Sequence, residues 1–540
     1  MDLTADVNIK DMGSDGEGIG TLPSGKTVFV QGALPGEVCR IEMINEKAKF
    51  CEGKLKEILT ASPDRTGTYE DDPPGAGLSH LAYEAQLRYK EQKVRSCLQR
   101  LGRQDEELLR KTIKPTFPSE DTWHYRNHMQ YKISDNKICL TASSSDELIP
   151  AGDSPLEYIV FNNIREILED IFGHAPTTLF CGLVLRGSER TRQVLIEFVS
   201  DSPAPHETIL RDVTQYIDAT DMRERLTADC PYEIKGILLR ISSTSVSKRV
   251  RSGKRFTIEG EDFYEEKLCG CRFRIKAGAF FQVNIPQAEH LYRFAAEDLR
   301  DEKVIWDVYC GTGSIGLSVT SKDQTLIGIE SVQEAVNSAK INASLSGRDD
   351  ARFICRPAER MDLNKDDLPR PDAVIVDPPR KGMDPKFVKT LLDLSPKKIS
   401  YVSCDPATMA RDIRTLTEGG YKLLSVRPVD MFPNTPHVET VVLLSKLSRA
   451  PKLEVKINTS ELDLTEAEAK ATYDEIRDYV KETTGLHVPN LYIAQTKRKL
   501  GLDLRENFNL PKCENPKKLK CPPEKEKAII AALKHFKMIS

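Results

Sequence analysis

The chain has 540 residues, 39% hydrophobic and 30% charged, with a formal net charge of −4. That length exceeds one compact core and points to roughly three or four domains; the composition excludes a disordered or fibrous polymer. No apolar run approaches the ~18–20 residues of a bilayer span, and a balance this close to neutral leaves nucleic-acid binding to a local basic patch.

The first residues, Met1 to Val7, carry no basic segment followed by an apolar stretch, so no leader is expected. The thirteen cysteines have no disulfide-like spacing and are expected to be reduced thiols of a cytoplasmic protein.

Residues 1–60 are predicted to form a small all-β barrel. Short alternating runs at Val7–Lys10, Thr27–Val30, Glu37–Met43 and Phe50–Ile58 are separated by glycine- and proline-rich turns. Residues 61–277 read as a mixed α+β domain. It opens with a helix from Leu81 to about Leu101, its Glu, Gln, Lys and Arg residues on an exposed face. Within this domain Lys248–Arg255 is the densest basic run and suits phosphate contacts or a solvated hairpin tip. Trp123–Asn127 offers base-stacking rings or core aromatics.

From 278 to 446 apolar strands (Val304–Tyr309, Thr325–Glu330, Ala373–Asp377, Ile399–Cys404, Thr440–Leu444) alternate with helical stretches, the rhythm of a doubly wound α/β sheet. Residues 450–540 form a helical appendage. Its helices at Glu466–Thr484 and Asn490–Leu500 read as a helix-turn-helix-like RNA-binding element or a packing appendage; Pro511–Glu524 is rich in proline and lysine. The fold class is therefore multidomain α/β.

The strand Val304–Tyr309 runs into Cys310-Gly311-Thr312-Gly313-Ser314 and a helix. Glycines there let a ligand approach the backbone, and the helix start offers free N–H groups. Glu330 ends the second strand, where a carboxylate suits two ribose hydroxyls. The glycine spacing departs from a dinucleotide fingerprint near Gly316 and fits a ligand without a pyrophosphate, such as S-adenosylmethionine. Asp377 ends the next strand ahead of a rigid Pro378-Pro379 loop, where ligands of open α/β sheets bind. Cys404 closes the strand after that. Taken alone it reads as core packing, but Asp405 caps and Pro406 starts a helix whose positive end favours a thiolate, with Arg380 or Arg411 adding to the effect. Cys310 is the competing thiol and lacks that context. Glu439, before the last strand, is either a structural acid or a general base with a raised pKa.

Five ordered runs together resemble the RNA uracil-C5 methyltransferase family, over about residues 1–446. They are Ala279–Asn284, Asp307–Gly313, Asp377–Gly382, Ser403–Ala407, and Asp430–Pro433 followed by His437-Val438-Glu439. The resemblance implies a TRAM-type RNA-binding barrel of oligonucleotide-binding class at 1–60, a central RNA-binding domain at 61–277, a Rossmann-like methyltransferase domain at 278–446, and an appendage at 450–540 outside the match.

It further implies that Gln282, Tyr309, Gly311, Gly313, Ser314, Glu330 and Asp377 hold S-adenosylmethionine, that Cys404 is the nucleophile, and that Glu439 is the base. Many family members carry an iron–sulfur cluster on four cysteines. Here those positions fall near Gly67 and at Pro73, Ala76 and Ser154, so neither cluster nor other metal is expected. Pro357 stands where the family often has a polar residue near the adenine, leaving the Ala358 N–H as a candidate contact. The expected product is 5-methyluridine, in ribosomal RNA by preference and in tRNA as the alternative. The expected protein is a monomer without a membrane partner. A non-catalytic RNA-binding protein and a cytosine-C5 methyltransferase are the other readings. The joint presence of Asp377, Cys404 and Glu439 opposes the first, and the late position of the cysteine opposes the second.

Overall fold

The computed structural model describes residues 4–142, 147–242, 253–361, 368–447, 473–500, 521–536 and 538–539. Residues 248–252 of the predicted basic run, 466–472 of the predicted first tail helix and 511–520 of the Pro/Lys-rich stretch lie outside them. The chain divides into two units, Met1–Ser448 and Arg449–Ser540.

In the first unit, β1 (Thr4–Met12), β2 (Gly18–Thr21), β3 (Thr27–Val30), β4 (Val38–Glu46) and β5 (Phe50–Thr60) close a barrel in the order β1-β2-β3-β5-β4. Alternation turns Val7, Ile9, Val28, Val30, Cys39 and Ile41 inward. The barrel is as expected, with β2 added where glycines read as a turn. Gly20 serves close packing: a Cβ there would stand 2.2 Å from Val7 Cγ1. Arg65 Nε lies 2.7 Å from buried Glu37 Oε1 and ties the barrel to the chain leaving it.

Helices α1 (Tyr83–Arg100) and α2 (Glu106–Thr112) follow. The expectation that the polar residues of α1 all face solvent is corrected here. Gln86 and Lys90 are buried along with Val94 and Leu98. These residues recur every fourth position and so share one stripe.

The central domain comprises β6 (His128–Ser134), β7 (Lys137–Thr141), β8 (Leu148–Pro150), α3 (Ile159–His174), β9 (Gly182–Ser188), β10 (Gln193–Ser200), α4 (His206–Ala219), α5 (Met222–Asp229), β11 (Glu233–Ile241) and β12 (Lys254–Gly260). Its sheet order is β12-β11-β10-β9-β6-β7-β8. Leu185, Ile196, Phe198 and Leu239 pack with Phe161, Leu168, Val213 and Leu226 of α3–α5. Tyr125 is a core aromatic, its hydroxyl donating to the Pro433 carbonyl at 3.0 Å.

The hairpin β13 (Phe263–Leu268) and β14 (Cys271–Lys276), with α6 (Ile285–Ala296), leads to the second sheet. There follow β15 (Val304–Val308), α7 (Ser314–Val319), β16 (Thr325–Glu330), α8 (Gln333–Leu345), β17 (Arg352–Cys355), β18 (Ala373–Val376), α9 (Pro385–Leu394), β19 (Lys398–Ser403), α10 (Pro406–Glu418), β20 (Tyr421–Val429) and β21 (Glu439–Lys446). The strand order is β17-β16-β15-β18-β19-β21-β20. The first five strands run parallel, and β21 is antiparallel to both β19 and β20. The winding direction reverses between β15 and β18, so the loops after those strands open a crevice. That is the doubly wound domain expected.

In the second unit, α11 (Tyr473–Thr484), α12 (Asn490–Lys499) and α13 (Pro523–His535) share a core of Ile476, Val480, Val488, Ile493, Ile529 and Leu533. Of the basic end of α12, Lys497 lies over the Tyr473 ring and Lys499 pairs with Glu526. Among the described residues no helix is long and apolar enough to cross a membrane.

The buried stripe of α1 grips residues 430–436, the loop between β20 and β21. Lys90 Nζ donates to Asp430 Oδ1 and, at 3.0 Å, to the Phe432 carbonyl. Tyr83 donates to Asp430 Oδ2 at 2.8 Å, and Gln86 and Asn434 exchange two hydrogen bonds at 3.0 and 2.9 Å. From α6 and its cap, Gln287 holds the Asp430 carbonyl and Asn284 the Met431 carbonyl. Breaking one partner of a buried pair leaves the other charge uncompensated. Lys90→Ala is therefore expected to lose about 3–5 kcal/mol of stability in urea unfolding. A loss below about 1 kcal/mol would show that the pair does not secure the loop.

Candidate active site

Val308 pairs with Ile329 on one side and Val376 on the other. Tyr309, Glu330 and Asp377 therefore lie level at the carboxyl ends of three adjacent strands. After Val308 the chain turns sharply: Tyr309 has φ +67°, Gly311 +55° and Gly313 +78°. The N–H groups of Tyr309 and Cys310 both donate to the Ile329 carbonyl, at 2.9 and 3.2 Å. A left-handed aromatic residue is costly and persists only where its surroundings enforce it. The Tyr309 ring meets Phe387 edge-on at 5.8 Å.

Sequence reasoning assigned no role to Asp307. It is fully buried in β15, and its Oδ2 accepts from Gly316 N at 2.8 Å, fastening the first turn of α7. A Cβ on Gly316 would stand 2.7 Å from that oxygen. This glycine packs helix against strand, which explains its odd place in the glycine pattern. Burial pushes the Asp307 carboxyl up to about 7.

Glu330 Oε2 accepts from Gly311 N at 3.2 Å, and Oε1 accepts from Ser331 N and Val332 N at 2.6 and 2.9 Å. Ser314 Oγ lies 2.9 Å from the hydroxyl of buried Tyr292. Gln282 is buried, and its carbonyl accepts from Asn127 Nδ2 at 2.9 Å, a positioning contact absent from the sequence reading. A Cβ on Gly311 would meet nothing within 4 Å, so open space faces that backbone. Among the described residues Asp377 accepts no side-chain hydrogen bond from the protein. Desolvation pushes it up to about 7.

Ser403 and Thr440 form the last pair of the β19–β21 ladder, so Cys404 and Glu439 come next, across from each other. Beyond Cys404, Asp405 caps α10 as expected, accepting from Thr408 N at 2.8 Å, with Pro406 in the first turn. The thiolate expected from that helix end is corrected. Burial first, then the Glu439 and Asp377 charges, push the Cys404 thiol up to about 12, opposed by Arg380. Burial also holds Glu439 well above the ordinary carboxylate range, again against Arg380. Arg411 is engaged by Asp412 and by the Lys381 and Met383 carbonyls, so it braces the loop after Asp377. Cys310 is buried in the cofactor loop and pushed well up.

Beside the positions where cluster cysteines were sought, Asp72 binds Ser79 Oγ and, at 2.6 Å, His80 Nδ1. Among the described residues no group of three or more acidic, His or Cys side chains is placed to hold a metal.

A family model described as tRNA (Uracil-5-)-methyltransferase matches residues 239–447, and the TRAM domain model matches residues 4–56. An uncharacterized RNA methyltransferase of Clostridium acetobutylicum is 33% identical over 471 residues, 82% of this chain and 97% of that one. One of Caldanaerobacter subterraneus is 33% identical over 453 residues, 82% of this chain and 98% of that one. The crystal structure of Pyrococcus abyssi tRNA (uracil-54, C5)-methyltransferase with S-adenosyl-L-homocysteine is 25% identical, with a TM-score of 0.64, covering 81% of this chain and 99% of that one.

Only the thiolate alkylates. With the thiol near 12, iodoacetamide labelling of Cys404 in the free protein, followed by peptide mass spectrometry, should accelerate about tenfold per pH unit from 7 to 10. A rate already flat above pH 7 would restore the helix-activated thiolate.

Proposed function

This chain belongs to the RNA uracil-5-methyltransferase family, whose members use S-adenosylmethionine, and we propose that it methylates uracil C5 in ribosomal RNA through a bond between Cys404 and C6. The observation that carries this is that Cys404 and Glu439 stand across from each other just past the end of one ladder, near Asp377.

The residues fit the cofactor. Gly311 leaves open space beside Glu330, and Asp377 is a desolvated acid that, among the described residues, accepts no side-chain hydrogen bond. Gln282, Tyr309, Gly311, Gly313, Ser314, Glu330 and Asp377 would hold S-adenosylmethionine, with Glu330 toward the ribose. When bound it supplies an electrophilic methyl.

Uracil C5 is a poor nucleophile. The Cys404 thiolate adds to C6, and the displaced electron pair makes an enolate with negative character at C5. Once C5 carries the methyl, Glu439 takes the C5 proton, the enolate re-forms, and the C6–S bond breaks to return the thiolate. The net change replaces C5–H by C5–CH3 and releases one proton. Deprotonating Cys404 beside Glu439 and Asp377 builds up negative charge, which a cation in the crevice would offset, so the loaded site favours the thiolate. The target base leaves its stack to reach this depth. Phe280, 76% exposed just ahead of Gln282, presents a ring for base contact. Transfer RNA is the second reading, favoured by the name of the Pyrococcus enzyme.

RNA carrying 5-fluorouridine should form a denaturant-stable adduct, because fluorine cannot leave as a proton does. Cys404→Ala should abolish the adduct and lower methyl transfer more than about a thousandfold. Glu439→Gln should slow turnover roughly 10²–10⁴-fold; a normal rate would remove its role as base. Because Asp377 titrates near 7, S-adenosylmethionine affinity should rise from pH 6 to 8 as the carboxylate forms. Asp377→Asn should flatten that rise in calorimetry. Mapping 5-methyluridine in cells lacking the gene decides between the two RNAs.

A further inference from the structure

The central sheet carries an unbalanced charge cluster on the face opposite α3–α5. Leu185, Ile196, Leu239 and Phe256 face the helices, so by strand alternation Arg186, Glu197, Arg240 and Arg255 share the other face. Register sets Arg240 of β11 opposite Arg255 of β12. Glu197 Oε1 lies 3.1 Å from Arg240 Nε and 2.7 Å from Arg255 Nε.

Arg186, on β9, is close enough to act on Arg240. Burial first, then the Arg255 and Arg186 charges, pull the Arg240 guanidinium below its ordinary value against Glu197. Arg240 is 2% exposed, and among the described residues its Nε and Nη2 lack hydrogen-bond partners. A buried cation left short of acceptors is destabilising, and one carboxylate does not balance the two guanidiniums it touches. Arg255 is exposed, so the cluster opens to solvent.

The cluster abuts the segment that enters the crevice. Arg186 Nη1 donates to the Ala279 carbonyl at 2.5 Å, and a Cβ on Gly278 would stand 2.8 Å from Arg255 Nη1. Gln282 lies four residues beyond Gly278, within roughly 15 Å along the chain.

We propose that Arg240, Arg255 and Arg186 form a subsite for a backbone phosphate of the RNA whose target base enters the crevice. Guanidiniums match phosphate geometry with paired donors, and a phosphate supplies the acceptors and the negative charge that Glu197 alone does not. Such a contact sets the position of the strand without reading its sequence. The subsite rests on RNA being the substrate.

The test uses the full chain, its RNA affinity measured across a salt series. Arg255→Gln should weaken binding roughly 3- to 10-fold near 0.1 M salt, equally for different sequences, and lower the slope of log affinity against log salt by about one. S-adenosylmethionine affinity should stay unchanged. Arg240→Met should weaken RNA binding likewise while melting at or above the wild-type temperature, because it removes a poorly satisfied buried charge. Wild-type RNA affinity and salt slope in both variants would overturn the subsite, as would a lower melting temperature with unchanged RNA affinity in Arg240→Met. Inorganic phosphate alone is the second probe. Saturable phosphate binding lost in both variants, with RNA affinity intact, would mark a small-anion site and overturn the proposal. Methyl transfer by the wild type is assayed alongside. Its absence with the salt-slope changes intact would remove the proposed reaction and leave the phosphate contact standing.

Discussion

A lysine with no exposed surface must find a fixed partner, and Lys90 finds Asp430. The rest of the site hangs on that pairing. It joins a helix that follows the barrel to a loop more than 300 residues later in the chain, and the loop delivers the strand that begins with Glu439. Side chains of α1, of α6 and of its cap occupy the loop's carbonyls, so its backbone finds in protein the partners it would otherwise seek in water. The acid at the head of β21 is thus positioned by residues far from it in the chain.

The crevice is electrostatically unfinished. Asp377 and Glu439 are crowded by protein, and Arg380 opposes the charge that Cys404 and Glu439 would carry. A buried acid without a partner takes up a proton. With the Cys404 thiol pushed up to about 12 and Glu439 held well above the carboxylate range, both groups keep their protons in the free protein, and the thiol stays unreactive until charge of the opposite sign arrives. Arg380 was legible only as a loop residue; its reach to both Cys404 and Glu439 comes from the fold.

Much of the architecture was legible because local chemistry and fold agree. The apolar strands of the second sheet, the Asp405 cap and the glycine loop each announce themselves within a few residues. Glu330 and Asp377 could be placed level at the crevice because strand ends are readable. What stayed hidden depends on distant partners. Gln86 and Lys90 look like solvent residues of α1 until the 430–436 loop covers them. β2 looked like a turn because its glycines answer to Val7 and its neighbours across the barrel. The Cys404 thiol was misjudged because the cap lies next in sequence, whereas its burial, and the Glu439 and Asp377 charges from other strands that add to it, arise only in the fold. Asp307 sat in plain view, but its bond to Gly316 N is a property of the folded turn.

The antiparallel ladder between β19 and β21 has a further effect. Side chains alternate across a sheet with a period of two, so sliding β21 by one residue reverses every one of them. Val441 and Leu443 pack on one face of the sheet, and Val442 and Leu444 on the other. A shortened or lengthened loop that shifted the pairing by one place would exchange one apolar set for another of similar size, and the sheet could still close. The carboxylate at the strand's head would then face away from the thiol. The hydrophobic pattern is thus nearly indifferent to this slip. Correct alignment falls instead to the polar grip on the loop, so the chemistry is more sensitive to length changes between 430 and 438 than the fold itself.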